Sequence, residues 1–428
     1  ILIHKVWGYV IFFLVLLSIF QAIYDWATVP MDLIDTTFAS LAEWVKVTFP
    51  GGGKVTDLVA EGIVSGIGGI VIFIPQIAFL FLFISILEES GYMSRVVFLM
   101  DRVMRRFGLS GKSLVPLISG TACAIPAVMA TRNIENWKER LITILVVPFT
   151  TCSARLPVYL IIIALVIPEG SIIGLSYQAL TLMALYLLGF GMAIFSAYIL
   201  DRILKTKHKT FFVVEMPNYK LPLLKNVIIT VIEKTKTFVF EAGKIILAIS
   251  IILWVMASYG PGDKFNNAES YVKETSTTQS TSELNDQIAA FKLEHSYIGI
   301  VGKTIEPLIK PLGYDWKVGI GLVASFAARE VFVGTLATIY SVGSAGEGEN
   351  IETIKTKMAN ETYADGTKVF TLASGISLLL FYAFAMQCMS TLAIVRRETK
   401  TWKWPILQLI GMTAIAYICA LIAFQFLK

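Results

Sequence analysis

The 428-residue chain is 56% hydrophobic and only 16% charged, with a mean hydropathy of +0.70. Soluble domains average about 25% charged residues, so this composition excludes a water-soluble globule and points to the bilayer, whose core a helix of about 20 apolar residues crosses. The net charge of +5 is too small to argue for nucleic acid, and all four cysteines (Cys123, Cys152, Cys388, Cys419) lie inside apolar runs, which argues against a disulfide framework.

The chain begins at Ile1, and its first apolar run is too long for a signal peptide and lacks a small-residue cleavage site. The start therefore reads as the edge of a longer protein. Residues 1–60 are expected to hold a first span, about Val6 to Trp26, and a periplasmic amphipathic stretch through Pro30 to the glycine turn at 51–53. Residues 61–203 read as a first gate repeat. Its opening helix, about Val64 to Leu87, ends at Glu88 and Glu89. A basic segment follows, in which Val96, Leu99, Val103 and Phe107 recur at helical spacing among Arg95, Arg102, Arg105 and Arg106. Such a segment is expected to lie at the interface.

Ser113 to Thr131 is apolar but interrupted by Pro116, Gly120 and Pro126. Basic residues flank it on both sides: Lys112 before, and Arg132, Lys138 and Arg140 after. Positive residues favour the cytoplasm, so this segment is predicted to enter and turn back as a re-entrant hairpin. Non-helical backbone at that depth is tolerated only where protein or water covers it. Leu141 to Ile167 then crosses outward and Ile172 to Leu200 returns, which puts the N-terminus in the cytoplasm. Residues 204–237 form a Lys-rich cytoplasmic linker. Residues 238–400 read as a second gate repeat, with a span from Phe238 to Tyr259, a broken piece within Tyr297 to Tyr340, and a span from Val369 to Val395. Its polar loops, 260–296 and 341–367, are acid-rich and expected in the periplasm. Residues 401–428 supply a C-terminal span.

This order predicts an all-α integral membrane protein, a polytopic helical bundle of two inverted repeats, each containing a re-entrant or broken-helix hairpin. GLSGKSLVPLISGTACAIPAV aligns with GYDWKVGIGLVASFAAREVFV, pairing Gly108 with Gly313 and Lys112 with Lys317. PFTTCSARL aligns with FAMQCMSTL, pairing Cys152 with Cys388. Hydrophobic sequences align easily, so it is the agreement with the charge-derived topology that carries the repeat. Inverted repeats with discontinuous helices place the substrate near the midplane.

The candidate chemistry lies where polar residues interrupt apolar helices. Thr150, Thr151, Cys152, Ser153 and Arg155 sit between Pro148 and Pro157 inside one span. Proline removes a helical donor and clashes with the carbonyl four residues back, so this stretch should open and free carbonyls. Gly120 to Pro126, around Cys123, has the same character, as does Gln387-Cys388-Met389-Ser390-Thr391. Thiolate, thioether and oxygen donors together suit a first-row divalent metal. Cys123, Cys152, Cys388, Met389, Thr151, Ser153 and Ser390 are therefore the candidate metal path, read against the plainer account that a free cysteine is a small buried hydrophobe. For Cys419, in an unbroken helix, the plainer account holds. Arg155, Gln387, Arg329, Glu330, Glu88 and Glu89 are gate candidates: Arg329 and Glu330 because ionisable groups at such depth face the protein interior or a cavity, and Glu88 and Glu89 because helix-end carboxylates, though commonly solvated, attract cations at a vestibule mouth. No catalytic or cofactor-binding residues are predicted. Gly108-Leu109-Ser110-Gly111-Lys112-Ser113 ends like a phosphate loop, but the required first glycine is Arg106 and no strand precedes it.

Across these same motifs, and across EMPNYKLP, SFAAREVFVGTLATIY and FAMQCMSTLAIVRRETK, the chain resembles the membrane part of bacterial ferrous iron transport protein B. The resemblance implies uptake of ferrous iron across the bacterial inner membrane and a route lined or gated by Cys123, Cys152 and Cys388. It also implies a cytosolic GTP-binding domain, in cis or as a separate chain, through which GTP and Mg2+ act, and small accessory cytosolic proteins. A second copy could cover the amphipathic segments. The gate segments also resemble nucleoside-transporter-like proteins, whose site would call for aromatic and amide groups at the breaks. A membrane-embedded hydrolase is disfavoured, because no histidine stands in the spans to serve as base.

Overall fold

A computed structural model describes residues 7–49, 53–168, 170–172, 175–204, 219–275, 288–289, 291–326, 329, 331–339, 358, 368–386 and 388–428. The chain divides into two compact units. The first comprises Ile1–Ser153, Phe190–Ala248 and Ser390–Ile406, and the second Ala154–Gly189, Ile249–Met389 and Leu407–Lys428.

In the first unit, α1 (Trp7–Thr48) does not stop at Trp26 as expected but runs on through Pro30. The hydroxyls of Thr36, Thr37 and Ser40 donate to carbonyls four residues back, so polar side chains ride on helical backbone without interrupting it. Trp26 packs edge-on against Phe79 and tilted against Phe83. Both rings belong to α2 (Lys54–Glu89), which starts ten residues before the expected Val64 and contains a π-helical stretch at Leu58–Val64. Gly91, at φ 78°, ends α2 and opens α3 (Tyr92–Met104). The buried face of α3 is Val96, Val97 and Met104, rotated from the expected stripe. Asp101 is buried with them because it accepts the Gly111 N–H (2.9 Å) and pairs with Arg105 (2.5 Å). The Gly111 N–H is thereby spent, and the loop that ends like a phosphate loop is a packed turn.

The first hairpin is built of α4 (Leu114–Ala122) and α5 (Ala124–Ala130), packed against each other. Asn136 then caps α6 (Trp137–Val146), its side chain accepting the Lys138 N–H. Beyond a 3₁₀ turn at Val147–Phe149 the chain continues into α7 (Leu156–Val166), whose first turn accommodates Pro157.

In the second unit, α7 packs against α13 (Leu372–Phe384). A short hairpin, β1 (Ser171–Ile172) with β2 (Leu175–Ser176), leads into α8 (Tyr177–Ile203). The next span, α9 (Leu224–Ser258), begins well before the expected Phe238, so part of the Lys-rich linker is helical. Within the second unit, α10 (Tyr297–Ile309), capped by Ser296, packs on α11 (Trp316–Ala324), capped by Asp315. α12 (Val331–Ile339) follows and packs on α11. A Thr371/Ser374 capping box starts α13. After it come α14 (Met389–Thr399) and α15 (Lys403–Leu427). The Ser377 hydroxyl sits centrally, bonding to Tyr314 (2.9 Å) and to the carbonyls of Leu312 and Ala420.

Six helical stretches among the described residues are long and apolar enough to cross a membrane. The protein is an all-α, multi-pass membrane protein. The two broken spans are the shielded ones: half of the apolar window of Trp137–Val166 is buried and 76% of that of Leu372–Thr399, against 12–28% for the other four. Broken backbone in a bilayer requires this cover, because lipid satisfies no carbonyl or N–H group.

Candidate transport site at the broken helices

The three predicted interruptions are real breaks. Cys123 separates α4 from α5 in extended conformation, φ −155° and ψ 134°. Thr150 leaves the 3₁₀ turn after α6 with ψ 134°. Ala385 leaves α13 with ψ 143°. Cys123, Cys152 and Cys388 are each partly exposed and unoxidised.

In the first unit, the Ser153 hydroxyl donates to the Ala122 carbonyl at 2.9 Å, pinning the opened end of α6 to the break in the hairpin. A methyl group on Gly120 would collide with the Thr150 hydroxyl, so the two breaks approach as closely as glycine allows. Thr150 spends its own hydroxyl on the Val147 carbonyl. The hydroxyls of Thr151 and Ser390 are fully buried without a hydrogen-bond partner. Leaving such a group unsatisfied costs on the order of 1–3 kcal/mol.

In the second unit, the Met389 N–H donates to the Phe326 carbonyl at 3.2 Å. The residue that follows a cysteine is again tied to a carbonyl at the end of a hairpin helix, here just beyond α11. Arg329 is buried and donates to the carbonyls of Tyr382 (3.4 Å) and Ala385 (3.2 Å). It thus holds the carboxyl end of α13, where a positive charge also complements the helix dipole. Arg155 is buried at the start of α7. Met389 is 39% exposed.

Among the other gate candidates, Glu88 is exposed at the end of α2. Glu89 accepts from Asn226 at 3.3 Å, and its second carboxylate oxygen is buried without a partner. Gln387 and Glu330 lie outside the described residues. Among the described residues no three His, Cys, Asp or Glu side chains gather into a group that could hold a metal, so the cysteines do not share a preformed three-ligand centre of these residue types. Any holding of a cation at the breaks must draw on hydroxyl, thioether and carbonyl donors as well.

Sequence reasoning missed Glu398. Its side chain is 4% exposed and pairs with Arg132 (2.5 Å) and Arg140 (2.7 Å). The hydrogen bond to Glu398 raises the Arg132 pKa above its ordinary value. Glu398 stands in a basic run, RRETK, and only the fold brings Arg132 and Arg140 to it.

A family model described as "Gate: Nucleoside recognition" matches residues 70–166 and 239–402, more than half of the chain. The chain belongs to this Gate family. A second model, "Ferrous iron transport protein B C terminus", matches residues 182–234, between the two Gate segments. Fe(2+) transporter FeoB of Leptospira interrogans is 44% identical over 426 residues, which is 99% of this chain and 58% of that relative. Fe(2+) transporter FeoB of Staphylococcus aureus is 35% identical over 432 residues, again 99% and 58%. A fusion of Fe(2+) transport protein A with FeoB from Porphyromonas gingivalis is 34% identical over 431 residues, 99% of this chain and 50% of the relative. The chain thus spans about half to three-fifths of the length of these relatives. Within the Gate family it falls with the membrane region of ferrous iron transport protein B, the resemblance drawn from its motifs. No solved structure matches the chain.

Proposed function

We propose that this chain carries ferrous iron across the bacterial inner membrane, into the cytoplasm, along a path formed by its broken helices. The observation that carries the reading is the conversion of helix to extended backbone at Cys123, at Thr150 and at Ala385, next to buried hydroxyls without partners at Thr151 and Ser390. Moving a dication through a low-dielectric interior requires replacing its hydration shell. Thiol, thioether, hydroxyl and freed carbonyl groups do this for a borderline first-row ion. Cys123, Cys152, Ser153, Cys388 and Met389 are the proposed donors, acting a few at a time as the ion moves.

The inverted repeat is part of this proposal. Gly108 and Gly313, paired by the alignment, share the left-handed conformation (φ 74° and 82°), each closing a 3₁₀ turn. Helical structure resumes at the paired positions Gly111 and Trp316. The ties made by Ser153 and Met389 also fall at paired positions, each directly after the aligned cysteine. The N-terminus is assigned to the cytoplasm, as the flanking lysines and arginines favour. Drive by a GTP-binding domain, with GTP and Mg2+, and regulation by a small cytosolic protein belong to the same proposal. The fusion in the Porphyromonas gingivalis relative supports the latter.

The test is ferrous iron uptake by proteoliposomes of the full-length protein, compared with Cys152→Ser and Cys388→Ser. Uptake should fall in both variants. Unchanged uptake in both would remove the cysteine path, and nucleoside uptake without iron uptake would favour the reading that the Gate description suggests.

A further inference from the structure

A cavity of about 530 Å³ in the first unit has Arg132, Arg140, Arg397, Lys400, Glu398 and Trp137 in its wall. It is built where the turn after α5, the first turns of α6 and the end of α14 meet. Glu398 is bound by Arg132 and Arg140, and the wall holds four cations against this one carboxylate. Arg397 and Lys400 are exposed. Lys400 has φ 55°, a left-handed conformation that is strained for a residue with a Cβ and that glycine would adopt freely. Cations at a helix end also offset the dipole of α14, which accounts for Arg396 and Arg397. The pairing with Glu398 accounts for Arg132 and Arg140, but nothing in the wall accounts for Lys400 standing beside them.

Trp137 lies in the cavity wall, and further aromatic and apolar residues follow Lys400 along the chain. Trp137 is 47% exposed, and Trp402, 53% exposed, lies under the Arg396 guanidinium at 4.2 Å. Ile406, one turn further along, is 49% exposed. Tryptophan at the ends of spans marks the water–lipid boundary. A cavity with four cations and a half-exposed tryptophan, Trp137, in its wall suits a ligand with a phosphate and an acyl chain.

We propose that this cavity binds the phosphate of an anionic phospholipid headgroup, drawn from the leaflet on the arginine-bearing side. Arginine forks bind phosphate oxygens two at a time, and basic pockets between spans take up anionic headgroups. Such a lipid would bridge α6 and α14, the helices that adjoin the breaks at Thr150 and Cys388.

Native mass spectrometry of the full-length protein in detergent, titrated with phosphatidylglycerol or phosphatidylcholine, tests this. Phosphatidylglycerol should bind about tenfold more tightly. The double variant Arg397→Gln/Lys400→Gln should remove that preference and leave phosphatidylcholine binding unchanged. Both side chains are exposed, so the fold should survive, and Arg397→Lys/Lys400→Arg should restore the preference. Equal binding of the two lipids, or a preference that persists in the double variant, would overturn the site. Inorganic phosphate displacing phosphatidylglycerol at equal concentration would overturn the lipid as its occupant.

Discussion

At the first hairpin, the residue after the cysteine reaches the Ala122 carbonyl through its side chain, the Ser153 hydroxyl at 2.9 Å. At the second, the residue after the cysteine reaches the Phe326 carbonyl through its own backbone, the Met389 N–H at 3.2 Å. In the first region the Thr150 hydroxyl closes the turn on the Val147 carbonyl. The second places the buried Arg329 on the carboxyl end of α13. The same requirement, covering carbonyls that a break exposes in a membrane, is met by the Ser153 and Thr150 hydroxyls in one region and by the Arg329 guanidinium in the other. Side-chain ties can be removed by substitution and backbone ties cannot, so the two regions should respond differently to mutation.

The largest effect is expected for the sulfurs themselves. Cys152→Ser/Cys388→Ser should lower iron uptake by roughly 10–100-fold, the scale of losing metal-orienting groups, with little change in thermal stability because both thiols are partly exposed. Next, Arg329→Met should destabilise the protein by about 2–3 kcal/mol, the worth of hydrogen bonds from a charged donor, read as a fall in melting temperature in detergent. Gly120→Ala should cost about 1–3 kcal/mol, because the added methyl meets the Thr150 hydroxyl, and uptake should fall with it. Ser153→Ala should cost about 1 kcal/mol. Met389→Ala, which keeps its backbone tie, should stay within about 0.5 kcal/mol of wild type. Equal losses for Ser153→Ala and Met389→Ala in the same melting experiment would erase the contrast between the regions.

Much of this arrangement was legible in the sequence, because prolines and glycines disrupt helices locally. Pro148 and Pro157 announce the opening at Thr150, and the aligned Gly108 and Gly313 both take the left-handed conformation that their turns require. Helix ends were less legible. α1 passes Pro30 and α9 starts in the linker, since an amphipathic helix continues past the apolar stretch that hydropathy detects. What the sequence hid were contacts between residues far apart. Glu398 meets Arg132 and Arg140 across more than 250 positions, and Arg329 meets carbonyls of α13, which carry no side-chain signal at all.

Sulfur at the broken helices should meet the ion during transport. X-ray absorption at the iron edge, on full-length protein loaded with ferrous iron, tests it most directly. Sulfur should appear among the nearest neighbours of iron in the wild type and disappear in Cys152→Ser/Cys388→Ser. A shell of oxygen and nitrogen alone in the wild-type protein would contradict it.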